Sequence, residues 1–132
     1  MMTALRESPE LGAEEVRSLV AIGFHGALNG KPQAALRLFE ALAELRPEQP
    51  FPLIGQALAL IGEGKPETAV QLLERSPPEL AKHHDTISVF LGLALRLARR
   101  EHQARSVLTA VAEGEGDEQA RRLARQLLDQ AS

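Results

Sequence analysis

The feature that most constrains this 132-residue chain is an internal repeat with a period of 34 residues. The sequence GKPQAALRLFE at 30–40 returns as GKPETAVQLLE at 64–74, and six of the eleven positions are identical. The identical pairs are Gly30 and Gly64, Lys31 and Lys65, Pro32 and Pro66, Ala35 and Ala69, Leu38 and Leu72, and Glu40 and Glu74. A period of this length indicates one supersecondary unit that recurs along the chain, so that neighbouring units stack to bury a common core.

The shared residues describe a turn that leads into a helix. Gly30 and Gly64 stand where a helix must stop, because glycine adopts the left-handed backbone conformation at little steric cost. Pro32 and Pro66 then open the next helix, at a position where the missing N–H is not needed. The apolar residues that follow recur at helical spacing, and Leu and Ala dominate the composition, which favours helices over strands. The sequence therefore predicts helices joined by short turns.

This pattern resembles the tetratricopeptide repeat (TPR) family, in which each repeat is a pair of antiparallel helices. The resemblance implies an all-α fold, a TPR-like superhelix of about three antiparallel helix pairs plus a C-terminal capping helix. We expect a flexible N-terminal tail at 1–13 and a single TPR domain at 14–132, with repeats at about 16–49, 50–84 and 85–116 and the capping helix at 117–130. A generic helical bundle is the alternative.

Two departures from the repeat mark its later copies. The sequence Ser76-Pro77-Pro78 is expected to stop the second helix of the second repeat early, because proline cannot continue a helix. In the third repeat, Arg99-Arg100-Glu101 stands where the first two repeats have Gly-Lys-Pro. The step from Ala69 to Ala104 is 35 residues, which places one inserted residue near the double proline.

In TPR proteins the first helices of successive repeats line a concave groove, and the resemblance implies that this groove is the partner-binding site. The large apolar residues at the matching positions are Val20, Phe24, Leu28, Phe51, Ile54, Leu58, Ile61, Val89, Phe90, Leu93 and Leu97. Such a groove suits the apolar face of an amphipathic helix or an extended hydrophobic segment of a partner, and Gly55 and Gly62 would let the partner approach the backbone. The alternative is that these residues are simply core, since apolar residues at helical spacing are more often buried than functional.

One TPR subgroup, the cochaperones, grips the carboxylate at the end of a peptide with Lys, Arg and Asn in the groove. The matching positions here are Val20, Phe24, Gly55, Thr86 and Phe90. None of them carries a charged or amide side chain, so the sequence disfavours this mode of binding.

Composition excludes several other functions. A net charge of -3 and a sequence pI near 5.8 argue against nucleic-acid binding, which normally needs a basic surface. The chain has no cysteine and no apolar run of the roughly 20 residues that cross a bilayer, which together predict a cytoplasmic protein without membrane insertion.

No motif for chemistry is present. His83 and His84 are adjacent, so on a helix they point about 100° apart and make a poor metal site. The Gly-Glu-Gly-Lys sequence at 62–65 lacks the spacing of a phosphate-binding loop. The sequence therefore predicts no cofactor, no metal and no enzymatic activity.

A small, acidic, cysteine-free protein with about three repeats and an apolar groove resembles the TPR chaperones of bacterial type III secretion systems. That resemblance implies a chaperone or adaptor in the bacterial cytoplasm that holds a helix of a needle or translocator subunit. The alternative is a structural TPR scaffold that self-associates, as a possible homodimer, or organises a multiprotein complex.

Overall fold

The computed structural model describes His25 and residues 29–130 of the chain. The tail expected at 1–13 and most of the first helix of the first repeat lie outside these residues. Six α-helices follow in order, and they are α1 Pro32–Leu45, α2 Phe51–Gly62, α3 Pro66–Glu74, α4 His84–Leu97, α5 Glu101–Glu113 and α6 Glu118–Gln130, with a 3-10 helix at Pro78–His83. Over the described residues no strand is present, and the prediction of an all-α repeat fold is confirmed.

The turns between helices repeat at the atomic level. Gly64 has a φ of 79°, its N–H donates to the Ile61 carbonyl at 2.9 Å, and the N–H of Lys65 donates to the Leu60 carbonyl at 2.9 Å. This pair of bonds is the Schellman ending of a helix. Proline then occupies the first turn of both α1 and α3.

The third repeat makes the same turn without glycine. Arg99 has a φ of 64°, its N–H donates to the Arg96 carbonyl at 3.0 Å, and the N–H of Arg100 donates to the Leu95 carbonyl at 2.8 Å. Each bond lies 35 residues after its counterpart in the preceding repeat. The backbone geometry of the repeat is therefore retained where its Gly-Lys-Pro sequence is not.

The second repeat differs from its neighbours in the length of its second helix. The helix α3 has 9 residues, whereas α1 has 14 and α5 has 13. It ends at Glu74, two residues before Ser76-Pro77-Pro78, and the chain continues as the 3-10 helix, whose Leu80 is buried. At 1.5 Å per residue, α3 is about 6 Å shorter than α5.

The helices form two rows. Each helix packs against the next one in the chain, and α4 also packs against both α2 and α6. Among these described helices, no Cα atom of α1 lies within 8 Å of one in α3, and the same holds for α3 and α5. The helices α2, α4 and α6 therefore form an inner row of neighbours, while α1, α3 and α5 lie apart from each other in an outer row.

Three apolar clusters hold these rows together. The first cluster joins α1 to α2, and its buried members are Ala35, Phe39, Leu42, Leu45 and Ala59. The central cluster joins α2, α3, the 3-10 helix, α4 and α5, and its buried members are Leu53, Ala57, Ala69, Val70, Leu73, Leu80, Ile87, Ala94, Leu95 and Ala104. The last cluster joins α4, α5 and α6, and its buried members are Val89, Leu108, Val111, Ala112, Ala120 and Ala124.

The helix α6 occupies the position expected for the capping helix. Asp117 caps its first turn, since the N–H of Ala120 donates to Asp117 Oδ2 at 2.8 Å. At the start of α4, Asp85 accepts from the N–H of Asp117, and near the end of α4, Arg96 donates to the carbonyl of Leu127. The start of α6 therefore lies beside the start of α4, and the end of α6 lies beside the end of α4. The two helices run parallel, as α4 and the first helix of a further repeat would.

Candidate partner-binding site

The predicted groove residues of the second and third repeats lie on two neighbouring helices. The helix α2 carries Phe51, Ile54, Leu58 and Ile61, and α4 carries Val89, Phe90, Leu93 and Leu97. Because α2 and α4 pack side by side, the structure brings these two sets together. The three groove residues expected on the first repeat, Val20, Phe24 and Leu28, lie outside the described residues.

Two of the predicted residues are core. Ile54 is 5% exposed, and Val89 is 2% exposed within the last cluster, against α5 and α6. Neither side chain presents surface to a partner in this structure. Sequence spacing assigned both residues to the predicted groove. Their burial shows that only some of the residues on that side of α2 and α4 are accessible to a partner.

The other predicted residues keep part of their surface in solvent. Phe51 and Leu58 pack at the edge of the first cluster, and Ile61 and Phe90 at the edge of the central cluster. Leu93 is also half-buried, and Leu97 is 47% exposed. The α2/α4 face, as we name it, consists of these six residues: Phe51, Leu58, Ile61, Phe90, Leu93 and Leu97.

The expectation that Gly55 would admit a partner is wrong, because the protein itself uses the space. A Cβ atom built on Gly55 would collide with the ring of Phe39, which is fully buried. Gly55 is itself buried in α2. The missing side chain at this position therefore lets α1 and α2 approach each other and leaves no room for another chain.

The polarity of the inner row changes from apolar to charged along the molecule. The hydrogen bonds from Asp117 to Asp85 and from Arg96 to Leu127 join residues 32 and 31 positions apart, and this offset sets the register between α4 and α6. At an offset of 32, the positions of Val89, Phe90 and Leu93 on α4 correspond to Arg121, Arg122 and Arg125 on α6. Arg122 pairs only with the exposed Glu118, and Arg125 donates to the Ala112 carbonyl. A partner that lay across α2, α4 and α6 would meet apolar side chains first and the exposed Arg122 last.

A cavity that the sequence analysis missed lies on the other side of α2 from the α2/α4 face. It is a groove of about 560 Å³ between α1 and α3, which do not touch, and its floor includes Leu53, Gln56 and Leu60 of α2. Leu58 and Leu60 are two residues apart, so their side chains leave the helix about 160° apart. The α1/α3 groove is thus distinct from the α2/α4 face.

The walls of the α1/α3 groove are mixed in character. Leu36 and Leu72 line it, and so do the charged residues Glu40, Arg46, Arg75 and Glu79. Pro77 and Leu80 close one end, where α3 has already stopped. The double proline was the sequence signal for this cavity, because a shortened α3 leaves space beside α1.

No group of three His, Asp or Glu side chains among the described residues could hold a metal ion. None of the described helices is both long enough and apolar enough to cross a bilayer. Ser88, a buried polar residue of α4, has its Oγ 3.4 Å from Nε2 of His84, one turn earlier on the same helix.

Comparisons of this chain with protein-family models, with characterised proteins and with solved structures gave no significant match.

Proposed function

We propose that this chain is a non-enzymatic TPR-type module that binds an amphipathic helix or a hydrophobic segment of another protein on the α2/α4 face. The observation that carries the proposal is a row of three apolar residues on one side of α4. Phe90 and Leu93 are half-buried, and Leu97 has almost half of its surface exposed. Contiguous apolar surface that folding leaves uncovered is typical of an interaction site.

The form of this face favours a helical partner. Phe90, Leu93 and Leu97 follow the i, i+3, i+7 spacing of a helix stripe, and Leu58 and Ile61 form a similar stripe on α2 beside it. Two neighbouring stripes present a surface into which the apolar side of a third helix can pack. The exposed Arg122 of α6 lies beyond α4, so an acidic residue at one end of the partner would strengthen its binding.

Within this class we propose a cytoplasmic chaperone or adaptor that shields its client until assembly. Support comes from the short repeat array, the net charge of -3 and the apolar face. Together with the resemblance to type III secretion chaperones, these features point to a secreted needle or translocator subunit of a bacterial system as the client. A helix of such a subunit must stay covered before export, because exposed apolar surface aggregates.

The test uses two leucines that are both exposed but lie on different surfaces of the molecule. Leu97 is 47% exposed on the α2/α4 face, and Leu123 is 36% exposed on α6. We expect Leu97→Asp to lose at least about tenfold in affinity for a client recovered from the native host, because a charge must be desolvated against the partner. The matched Leu123→Asp variant should bind as the unaltered chain does, and circular dichroism should show equal helix content for both.

Equal retention of the client by both variants would reject the α2/α4 face. The second candidate function, a structural scaffold that self-associates, is favoured by the exposure of Leu123 away from that face. Light scattering of the Leu123→Asp variant separates the two, since a scaffold that self-associates through Leu123 would lose its oligomer when this side chain becomes charged.

A further inference from the structure

The helix α6 is held to the rest of the molecule by few apolar side chains. Its buried residues are only Ala120 and Ala124, while Leu127 and Leu128 are half-buried against the last cluster. By contrast, α4, the parallel helix beside it, buries Ile87, Val89 and Leu95. Apolar burial is the main attraction between packed helices, so α6 is attached less strongly than α4.

Polar contacts complete the attachment of α6. Arg96 Nη1 lies 2.6 Å from the Leu127 carbonyl oxygen, and Arg125 Nη2 lies 3.2 Å from that of Ala112. Water can replace these partners when α6 leaves. Closure also buries Nε of Arg121 without a hydrogen-bond partner, which favours the open state.

The surface beneath α6 requires a helix of one particular shape. It is formed by Val89, Leu108 and Val111 together with the backbone of Ala112, and it receives Ala120 and Ala124 with almost no exposed surface left on either. A helix that presents larger side chains at these two positions, four residues apart, would be held away from α5. The chain's own α6 meets this requirement, and so does the α6 of a second copy.

The connection before α6 permits exchange. Residues 114–117 link the end of α5 to the start of α6, and Gly114 already has an extended backbone with φ -80° and ψ -179°. Straightening of these few residues breaks the hydrogen bond from Asp117 to Asp85 and carries α6 away from its own α4 and α5. Exchange of an identical element between two copies recreates every contact that its release breaks.

We propose that two copies of this chain form a dimer by exchanging α6, each α6 seating on α4 and α5 of the other copy. The exchange leaves the α2/α4 face uncovered, so the proposal is independent of the binding function described above. It gives the protein a second assembly state whose interface is already present in the single copy.

Hinge length provides the main test, because exchange depends on whether α6 can fold back. Deletion of residues 114–116 leaves Asp117 alone, too short a connection for two antiparallel helices, whose loops need about 2–5 residues. We expect this chain to be a dimer by light scattering with undiminished helix content. Insertion of Gly-Ser-Gly after Gly114 should give a monomer, because a longer hinge relieves the need to exchange.

The unaltered chain should show a dimer fraction that rises with concentration and returns slowly to monomer on dilution. A shortened-hinge chain that stays monomeric with lost helix content would overturn the proposal. So would a dimer that persists in the chain with the lengthened hinge, since that dimer would use another surface.

A peptide provides a second measurement that needs no altered protein. A fluorescent peptide of residues 114–130 should bind the unaltered chain slowly, as α6 opens, and raise its own fluorescence anisotropy. The same peptide with Ala120→Leu and Ala124→Leu should bind at least about tenfold more weakly, because the larger side chains do not fit against α5. Absence of binding, or equal binding of the two peptides, would contradict the exchange.

Discussion

At the scale of single residues, the left-handed backbone of Arg99 shows how the repeat tolerates a change of sequence. The equivalent residues Gly30 and Gly64 have φ values of 90° and 79°, and Arg99 has 64°. A residue with a Cβ atom carries a strain of about 1–2 kcal/mol in this conformation. The surrounding hydrogen bonds and the packing of α4 and α5 must outweigh that strain.

Arg99→Gly is therefore expected to stabilise the protein by about 1 kcal/mol in urea unfolding, since the strain it relieves exceeds the extra flexibility of the unfolded chain. Arg99→Ala removes the same exposed side chain but keeps the Cβ atom, so it should give no such gain. Gly64→Ala should destabilise by about 1–2 kcal/mol, although a Cβ atom there meets nothing within 4 Å, because only the backbone is strained. A gain for Arg99→Ala as large as that for Arg99→Gly would contradict the explanation.

At this scale, sequence reasoning correctly predicted the backbone turns where the residue type itself favours the required conformation. Gly-Lys-Pro predicted the turns before α1 and α3 because glycine permits the left-handed conformation that ends one helix and proline fixes the φ angle that begins the next. The third turn could be placed only through the 35-residue step to Ala104. Arginine has no preference for the left-handed region, so nothing in Arg99 itself indicates the turn.

At the scale of helices, close crossings depend on pairs in which one member lacks a side chain. Gly55 lies under the ring of Phe39, and Gly92 lies under Leu108, which is fully buried. A Cβ atom on Gly92 would stand 2.6 Å from Cδ2 of Leu108. The first pair joins α1 to α2, and the second joins α4 to α5.

Gly92→Ala should destabilise the protein by about 1–3 kcal/mol through overpacking against Leu108. Leu108→Ala alone should destabilise it by about 2–5 kcal/mol through the cavity it leaves. The double variant should be more stable than the sum of these two effects predicts, because the methyl group added at position 92 enters the cavity left by Leu108→Ala. Additive effects in a urea double-mutant cycle would show that the two residues are not coupled.

Arg96 joins three helices through one guanidinium group. It makes two hydrogen bonds, of 3.0 and 3.2 Å, to the carboxylate of Glu101 at the start of α5 and a third to the Leu127 carbonyl on α6. Its side chain is 19% exposed, whereas Arg105, which also pairs with Glu101, is 49% exposed.

Arg96→Met should therefore destabilise the protein by about 1.5–3 kcal/mol, the range for hydrogen bonds to a charged group, and should speed amide hydrogen exchange in α6. Arg105→Met is the matched control and should change stability by less than about 0.5 kcal/mol, because an exposed ion pair contributes little. Equal effects of the two substitutions would show that the contact to α6 does not matter.

At the scale of the whole molecule, the two rows of helices make α4 the centre of the structure. It packs against the 3-10 helix and against every described helix except α1, whereas α6 touches only α4 and α5. In repeat arrays stability is close to a sum of each unit and its neighbour interfaces, so it should fall toward the edge of the array.

Amide hydrogen exchange on the unaltered protein should therefore be slowest in α4 and fastest in α6, with α5 between them. Mass spectrometry of proteolytic fragments resolves these helices. Uniform protection from α2 to α6 would indicate that the chain opens as one unit, which the pattern of contacts does not predict.

The α2/α4 face shows the limit of sequence reasoning at this scale. The spacing of apolar residues predicted the helices α2 and α4 and the side of each helix that carries the α2/α4 face. It could not separate Ile54 and Val89, which are core, from Leu97, because spacing reports the direction of a side chain and burial depends on what packs there. The α1/α3 groove was missed for a similar reason, since its space arises from two helices that fail to touch.

The gap between α1 and α3 has a practical consequence. The short 3-10 helix after α3 absorbs one added residue, and the next turn still forms its Schellman bonds 35 residues later. Because Pro77 is exposed and lies between α3 and the 3-10 helix, it can be labelled without changing the contacts between the helices. A fluorophore or affinity handle placed there would leave the α2/α4 face undisturbed.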